Sequence, residues 1–479
     1  MNRQIARLFV GAMILILVLA VFTARWTVLE ADALKAQPLN RRPLLEQQQI
    51  PRGLILARDN SKLAINRRIG TRQNKRYYRE YPTKNLFSHG VGYAFVSRGA
   101  SGLEQYYNDV LSGTGSDLSS FIDEIAGGAK QGDDLKTTLD PVAQKTALDA
   151  LGANHGAIVA LDPRNGAVQV MASKPDYDPN QVPSQYKQLN DPNGGSPLFN
   201  RATQGQYPPG STFKVVTAAA ALDSGQYTPT SVLDGKNNQT ISGVPLSNFG
   251  GESFASISLT DALTHSVNTV FGKLGEKLGK KTMYDYMRRF GFNQKPPLDY
   301  PKNQLFASGV YNKGKLLSES DPVDIGRVAI GQERLQVTPL QMAMVASAVA
   351  NGGSLMRPHF MEKVIGPDGR VKDSFGAQEQ SRVMSQKSAS ELTQMMQHVV
   401  ESGTGTGAKL QGIDVAGKTG TAEAPGGFND AWFISFAPAK NPKVAVAVVV
   451  EHAQQSQTGG EVAAPLAAQV MRVLLSRNG

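Results

Sequence analysis

In the stretch "YPPGSTFKVVTAAAALDSG", Tyr207 to Gly225, a Pro-Pro-Gly turn leads into Ser211, then Lys214, then an alanine-rich run with helical character. Residues i and i+3 share a helix face, so the Lys214 amine can reach the Ser211 hydroxyl. A serine is a weak nucleophile and needs a nearby base. A lysine can serve if burial lowers its pKa from about 10.4 towards neutrality. The surrounding "FKVVTAAAAL" is apolar enough to supply that burial. A helix N-terminus also aims backbone N–H groups at a developing oxyanion. The competing reading is structural: Ser211 as a helix N-cap and Lys214 as a surface residue one turn later. The S-x-x-K spacing alone does not decide, since Ser184 and Lys187 repeat it in a Pro/Asn/Gly-rich segment.

Two further pieces bear on the choice. Ser266-Val267-Asn268 lies in "THSVNTVFGKLG", within a helical pattern, and Lys418-Thr419-Gly420-Thr421 lies just before the strand-like "DAWFISFAP". S-x-N recurs at Ser476–Asn478, but after the K-T-G, which occurs once, so the order fixes Ser266–Asn268 and Lys418–Gly420, and the turn-then-helix context points to Ser211 rather than Ser184 as the S-x-x-K. The ordered set S-x-x-K, S-x-N, K-T-G is the one found, with S-D-N in the middle, in penicillin-binding proteins and class A β-lactamases. It favours Ser211 as nucleophile.

The elements that must position these groups follow from patterning. "GAIVALDPRNGAVQVMASKP" reads as two apolar strands around Asp162-Pro-Arg-Asn-Gly166. Asp176 to Pro197 reads as a long surface loop. Helical patterns cover Ser211–Leu222, Thr260–Leu278, Lys281–Phe290, Thr338–Ala350 and Ser388–Ser402. "DAWFISFAP" and "KVAVAVVVE" make a second hairpin, and a last helix spans about Glu461 to Ser476. A hairpin, a helical middle, a hairpin and a helix predict an α+β fold, an antiparallel sheet with helices against it. Upstream, "RGLILARDNSKLAINRR" is a hairpin signal around Asp59-Asn60, "SGLEQYYNDVLSG" is helical up to Gly113, and a helix is expected from Asp140-Pro141 to Gly152.

Composition narrows the classes. The chain has 479 residues, no cysteine and a net charge of +10. Disulfides, cysteine-based zinc sites and thiol catalysis are excluded, and the six histidines show no ligand spacing. His265, next to Ser266, is read as structural, pointing away from it on a helix. The positive charge suits anionic neighbours such as phospholipid heads or acidic wall polymers. The densest basic run, Asn66 to Glu80, carries no nucleic-acid motif and is read as a solvated face. At the N-terminus, Arg3 and Arg7 precede an uncharged run from Leu8 to Ala24. With a poor cleavage site at Phe22-Thr23-Ala24 and Trp26 as interfacial anchor, this is expected to be a retained signal anchor, its positive end cytoplasmic and the bulk of the chain outside.

Beyond the anchor, the chain resembles the class B penicillin-binding proteins. The resemblance rests on "PPGSTFK", "GKTGTAE", "WFISFAP", "IVALDPRNGAVQVMASKPDYDPN", "LFNRA" and "IGQERLQVTPLQMAMVASAVANGG", and on "PRGLILARDNSKLA" and "GLEQYYNDVLSG" in the N-terminal module. Where the family has Gly after "GQ", this chain has Glu333. The resemblance implies a penicillin-binding serine transpeptidase fold with an all-helical subdomain. It implies three parts: an anchor over 1–26, a non-catalytic pedestal or dimerisation-type module over 27–153, and a transpeptidase domain over 154–479. It implies D,D-transpeptidation of peptidoglycan stem peptides through a Ser211 acyl-enzyme, inhibited by β-lactams, without metal or cofactor. Lys214 would take the proton. Ser266 would relay one to the leaving D-alanine, and Asn268 would hold the substrate amide and Lys214. Lys418, Thr419, Gly420 and Thr421 would bind the substrate, with the Ser211 and Thr421 N–H groups as oxyanion hole. A membrane-embedded glycan polymerase is the expected partner, because residues 27–150 are too few for a glycosyltransferase. The rivals are a D,D-carboxypeptidase or β-lactamase on the same fold and a non-catalytic β-lactam-binding scaffold. No E-x-x-L-N segment lies between Asn268 and Lys418 to supply a lactamase base.

Overall fold

The computed structural model describes residues 2–25, 48–71, 75–114, 131–424 and 426–477. The two sequence-predicted hairpins form and then pair with each other. Strands β1 (Gly156–Leu161) and β2 (Val168–Lys174) make the first; β3 (Ala416–Ala424), β4 (Phe428–Ala437) and β5 (Val444–Ala453) make the second, giving one antiparallel sheet in the order β3-β4-β5-β1-β2. β5 joins β1 through the register Ala445↔Leu161 to Val450↔Gly156. Both strands are apolar at nearly every position because both faces are covered. Ile158, Val446, Val448 and Phe433 face a core shared with helices α1 (Pro141–Leu151) and α6 (Gly459–Arg477). The alternate residues Val159, Ala447 and Trp432 face the core containing α4 (Pro339–Ala350). Beyond α4, helices α2 (Lys214–Asp223), α3 (Asn268–Arg289) and α5 (Gln386–Glu401) pack together as a helical lobe. Edge strand β3 packs against this lobe at α5 and at the turn that leads into α2, and a cleft opens beside that junction.

The N-terminal module is built on a six-stranded mixed sheet. Ile55–Leu56, Lys62–Ile69 and Arg76–Glu80 form an antiparallel meander, and Ile55–Leu56 pairs in parallel with Asp134–Thr137. The sheet is then completed by Met361–Ile365 and Val371–Ser374, which return from far down the chain. Conversely α1, which precedes residue 153, packs on the β1–β5 sheet and on α6. One buried acid ties the two halves: Asp299 accepts hydrogen bonds from Tyr107 Oη at 2.7 Å and from the N–H groups of Phe360 and Met361 at 2.7 and 2.8 Å. Within the module, buried Glu104 is bracketed by Arg52 and Arg79.

The N-terminal helix Asn2–Ala24 is long and apolar enough to cross a bilayer. Trp26, expected to anchor it at the interface, lies outside the described residues.

Two local expectations are corrected. The segment 176–197 is not one long loop: Val182–Leu189 is a helix, held by buried Val182 and Leu189 and flanked by 3-10 turns that Asp178 and Asp191 cap. The helical pattern of Thr260–Leu278 is broken. One helix covers Leu259–Thr264, the chain turns at Ser266 with φ +57°, and α3 starts at Asn268. By contrast Asp140 caps α1 as expected, accepting from the N–H groups of Val142 and Ala143.

Candidate active site

Ser211 sits in a 3-10 turn, Gly210–Phe213, that feeds directly into α2 at Lys214. Its hydroxyl caps no N–H; the hydroxyl that closes the turn belongs to Thr212, which donates to the Pro209 carbonyl at 2.7 Å. The capping reading of Ser211 therefore fails, and its Oγ makes no hydrogen bond among the described residues. Two glycines make room for the turn. A Cβ on Gly331 (φ +78°), from the "IGQERL" segment, would lie 1.9 Å from the Gly210 carbonyl oxygen. A Cβ on Gly420 would lie 2.8 Å from the Pro209 oxygen and 3.1 Å from the Thr212 nitrogen. The second contact explains the glycine of K-T-G: it lets strand β3 close on the serine turn, backbone to backbone.

Lys214 is completely buried. Its amine donates to the Ser266 carbonyl at 2.6 Å and to Asn268 Oδ1 at 2.7 Å, and lies 3.1 Å from Ser266 Oγ. The break in the predicted helix makes this possible. On a continuous helix the Ser266 carbonyl would be spent on the amide four residues on; here it is turned to the lysine. Asn268 Nδ2 donates in turn to the Ser247 carbonyl at 3.0 Å, which fixes its amide so that the oxygen faces Lys214. From β3, the fully buried Lys418 reaches the same hydroxyl, 3.0 Å from Ser266 Oγ, and donates to the Thr419 carbonyl at 3.0 Å.

Two amines thus share one serine hydroxyl, and neither has a carboxylate partner among the described residues. Burial first, and then the neighbouring Lys418 charge, hold Lys214 well below the ordinary lysine range. Burial alone brings Lys418 down to about 7. A neutral Lys214 amine has two hydrogens and one lone pair. The hydrogens are taken by the Ser266 carbonyl and Asn268 Oδ1. The lone pair is left for a hydroxyl proton, which is what a general base requires.

Ser211, Ser266, Asn268, Thr419, Gly420 and Thr421 line a single cavity of about 630 Å³. Lys214 and Lys418 lie beneath its floor. All the sequence-predicted site residues are therefore brought to one place. β3 is an edge strand, so the backbone groups on its outer side have no sheet partner and face the cleft. Sequence reasoning missed several neighbours. Thr404, after α5, hydrogen-bonds Thr419 at 2.6 Å between hydroxyls, and Gly459 N, at the start of α6, donates to Thr421 Oγ1 at 3.3 Å. Asn248 accepts from Thr269 N at 3.0 Å, tying the 247–251 loop to the start of α3. Phe249 of that loop overhangs the cavity, 72% exposed. None of these is readable from spacing, since each depends on long-range packing. His265, read as structural, is exposed at the cavity rim near the Phe254 ring. Glu333 holds the left-handed conformation (φ +56°) that a glycine would adopt there, and pairs with Arg334. The loop shape survives the substitution.

Comparison with known proteins agrees with this geometry. Residues 156–472 match the penicillin-binding protein transpeptidase domain, and residues 52–135 match the penicillin-binding protein A dimerisation domain. The chain belongs to the class B penicillin-binding protein transpeptidase family. It is 35% identical over 492 residues to the peptidoglycan D,D-transpeptidase PbpA of Mycolicibacterium smegmatis, covering 97% of each chain. To the PbpA of Mycobacterium tuberculosis it is 35% identical over 510 residues, covering 99% of each. Its structure is similar to that of the Mycobacterium tuberculosis penicillin-binding protein A penicillin G acyl-enzyme complex, with a TM-score of 0.79, 34% identity, and coverage of 89% of this chain and 100% of that one.

Proposed function

We propose that the protein is a peptidoglycan D,D-transpeptidase and that Ser211 is its nucleophile. The observation that carries this reading is the convergence of Lys214, Ser266, Asn268 and Lys418 behind Ser211 in one cleft closed by strand β3. A stem peptide ending in D-Ala-D-Ala lies along the open edge of β3. Thr419 and Thr421 hold its terminal carboxylate, with the Lys418 amine beneath them supplying charge, and the Ser211 and Thr421 N–H groups hold the carbonyl oxygen. Ser211 Oγ attacks the penultimate carbonyl and gives its proton to Lys214. The C–N bond then breaks, and the leaving D-alanine takes a proton through Ser266, which stands between the two lysines. A second stem peptide's amine attacks the ester and loses a proton. Ser211 Oγ takes one back, and an amide cross-link is formed.

The body of the protein is placed outside the cytoplasm, with the N-terminal helix as its single-pass anchor. A dimerisation-type module, rather than a glycosyltransferase, lies between anchor and transpeptidase domain. This supports a separate, membrane-embedded glycan polymerase as partner.

Transfer separates this reading from a carboxypeptidase on the same fold. The enzyme is given a D-Ala-D-Ala stem peptide and an amine acceptor, and products are resolved by mass. Cross-linked product that rises with acceptor concentration is expected. D-alanine release without any amide product, at all acceptor concentrations, would show that water is the true acceptor.

A further inference from the structure

The basic run Asn66 to Glu80 has no part in the chemistry above, and its residues form a surface of unusual composition. Lys62–Ile69 pairs with Arg76–Glu80 in the register Arg67↔Tyr78, Arg68↔Tyr77, Ile69↔Arg76. Side chains alternate across a strand, and directly opposed residues share a face. One face therefore carries Arg67, Ile69, Arg76 and Tyr78 together, all exposed. Ile69 is 44% and Tyr78 39% exposed, both large apolar groups left in water between two guanidinium groups. Arg68 projects from the other face and Lys75 stands next to Arg76. None of Arg67, Arg68, Lys75 or Arg76 makes an ion pair among the described residues. The acid on the apolar–basic face, Glu80, lies at its inner end, opposite Ile65. The face borders a groove of about 1080 Å³ that continues past Lys84 and Phe95.

The position of these paired strands on the chain is the second observation. The described chain ends its membrane-length helix at Ala24 and resumes at Gln48, whose carbonyl accepts from Tyr77 N at 2.8 Å. The tether thus enters the body on the outer strand of this pair. Of all the folded surface, this part is attached to the bilayer by the shortest length of chain.

We propose that the paired strands Lys62–Ile69 and Arg76–Glu80 form a membrane-docking surface. Arg67 and Arg76, with Lys75 beside them, meet anionic phospholipid headgroups of the protein's own membrane, and Ile69 and Tyr78 enter the headgroup–acyl boundary. Basic residues near a charged leaflet and an aromatic with one polar end are the groups such an interface selects. Docking holds the N-terminal module on the bilayer and sets the orientation of the cleft beyond it.

The chain has no cysteine, so Ile69→Cys takes a single environment-sensitive fluorophore. The full-length labelled protein is reconstituted in nanodiscs of phosphatidylcholine alone or with 30% phosphatidylglycerol, each containing spin-labelled quencher lipid. Strong quenching in the anionic discs is expected, with weak quenching in the neutral ones and loss of the difference at high salt. Charge reversal at Arg67→Glu and Arg76→Glu should reduce the docked-to-free ratio at least tenfold, while penicillin labelling, which reads fold and active site, stays normal. If that variant fails to label, the lipid comparison on the Ile69→Cys protein alone decides. Equal quenching in neutral and anionic discs would overturn the proposal and point to the tether itself, and absence of quenching in both would overturn it as well. Either result leaves the Ser211 chemistry standing.

Discussion

Replacing Ser211 with Ala is expected to abolish covalent labelling by a fluorescent penicillin, while Ser184→Ala leaves labelling intact. Both serines head an S-x-x-K. Ser184 sits in the Val182–Leu189 helix, but the backbone leaves helical geometry at Gln185 (φ −112°, ψ 16°), between Ser184 and Lys187. The surroundings of the lysine differ as well. Lys214 is fully buried and oriented by Ser266 and Asn268, whereas Lys187 is in a surface helix and Ser184 Oγ donates to the Gln181 carbonyl at 3.1 Å. Removal of Oγ at 211 takes away the only atom that can become the ester oxygen, so the loss is complete rather than partial. Labelling that disappears in the Ser184 variant and persists in the Ser211 variant would reverse the assignment. Gel fluorescence on the two purified proteins reads the result directly.

The second large effect is at Lys214. Arginine has the same reach but stays charged, with a pKa above about 12 and no lone pair to accept a proton. Lys214→Arg is therefore expected to slow acylation at least about 100-fold, the low end for loss of a general base. The larger guanidinium must fit a filled site, so Lys214→Met serves as a second variant and should be as slow. Circular dichroism and thermal unfolding check that each is folded. In the wild type the sign of the pH dependence follows from the same group. Protonated Lys214 has no free lone pair, so acylation is slow at low pH and rises as the amine loses its proton. Burial and the Lys418 charge favour the neutral form. The rise should therefore be centred well below the ordinary lysine value of about 10.4. Because Lys418 reaches the same Ser266 hydroxyl, the rising limb belongs to the pair. Stopped-flow or quenched labelling across pH measures it. Acylation by the Arg variant at wild-type rates would mean that Lys214 only packs.

Much of this site was legible in the sequence because each piece is contiguous. Four residues carry nucleophile and base, three carry the serine and asparagine that orient the base, and four carry the strand that closes the cleft. The hairpins were legible too, since strands buried on both faces are apolar at nearly every position and the turn at Asp162–Gly166 is strongly marked. What could not be read depends on contacts between distant residues. The pattern from Thr260 to Leu278 looks like one helix, because helical periodicity continues through the break and a left-handed serine has no signature of its own. Yet that break turns the Ser266 carbonyl towards Lys214. Thr404 meets Thr419 only because α5 ends beside β3. The strands Met361–Ile365 and Val371–Ser374 join the N-terminal sheet through pairing with Asp134–Thr137, more than two hundred residues away in sequence. Short, half-polar strands of this kind carry no address for their partner.

The same contacts explain why the two halves of the body are coupled. Asp299 collects a side chain from the N-terminal module and two backbone amides from the strand that enters its sheet. Its carboxyl is pushed up by burial. These bonds offset the burial cost and tie the helix that ends at Tyr106 to the segment leading into Met361–Ile365. The module is thereby joined to the transpeptidase domain by buried polar bonds and by a shared sheet.

The most direct test of the whole account is the fate of the acyl-enzyme. The protein is labelled with penicillin, the excess is removed, and adduct mass is followed over time with the modified peptide mapped. A single adduct on Ser211 that persists for many minutes to hours is expected, a barrier of roughly 22 kcal/mol or more. Lys214, the base assigned to Ser211, is already used in acylation, and the opened β-lactam ring stays tethered where an acceptor amine would enter. An adduct on another residue, or turnover faster than about once per second, would contradict the account. The first would move the nucleophile, and the second would make the protein a lactamase with a hydrolytic base elsewhere in the cleft.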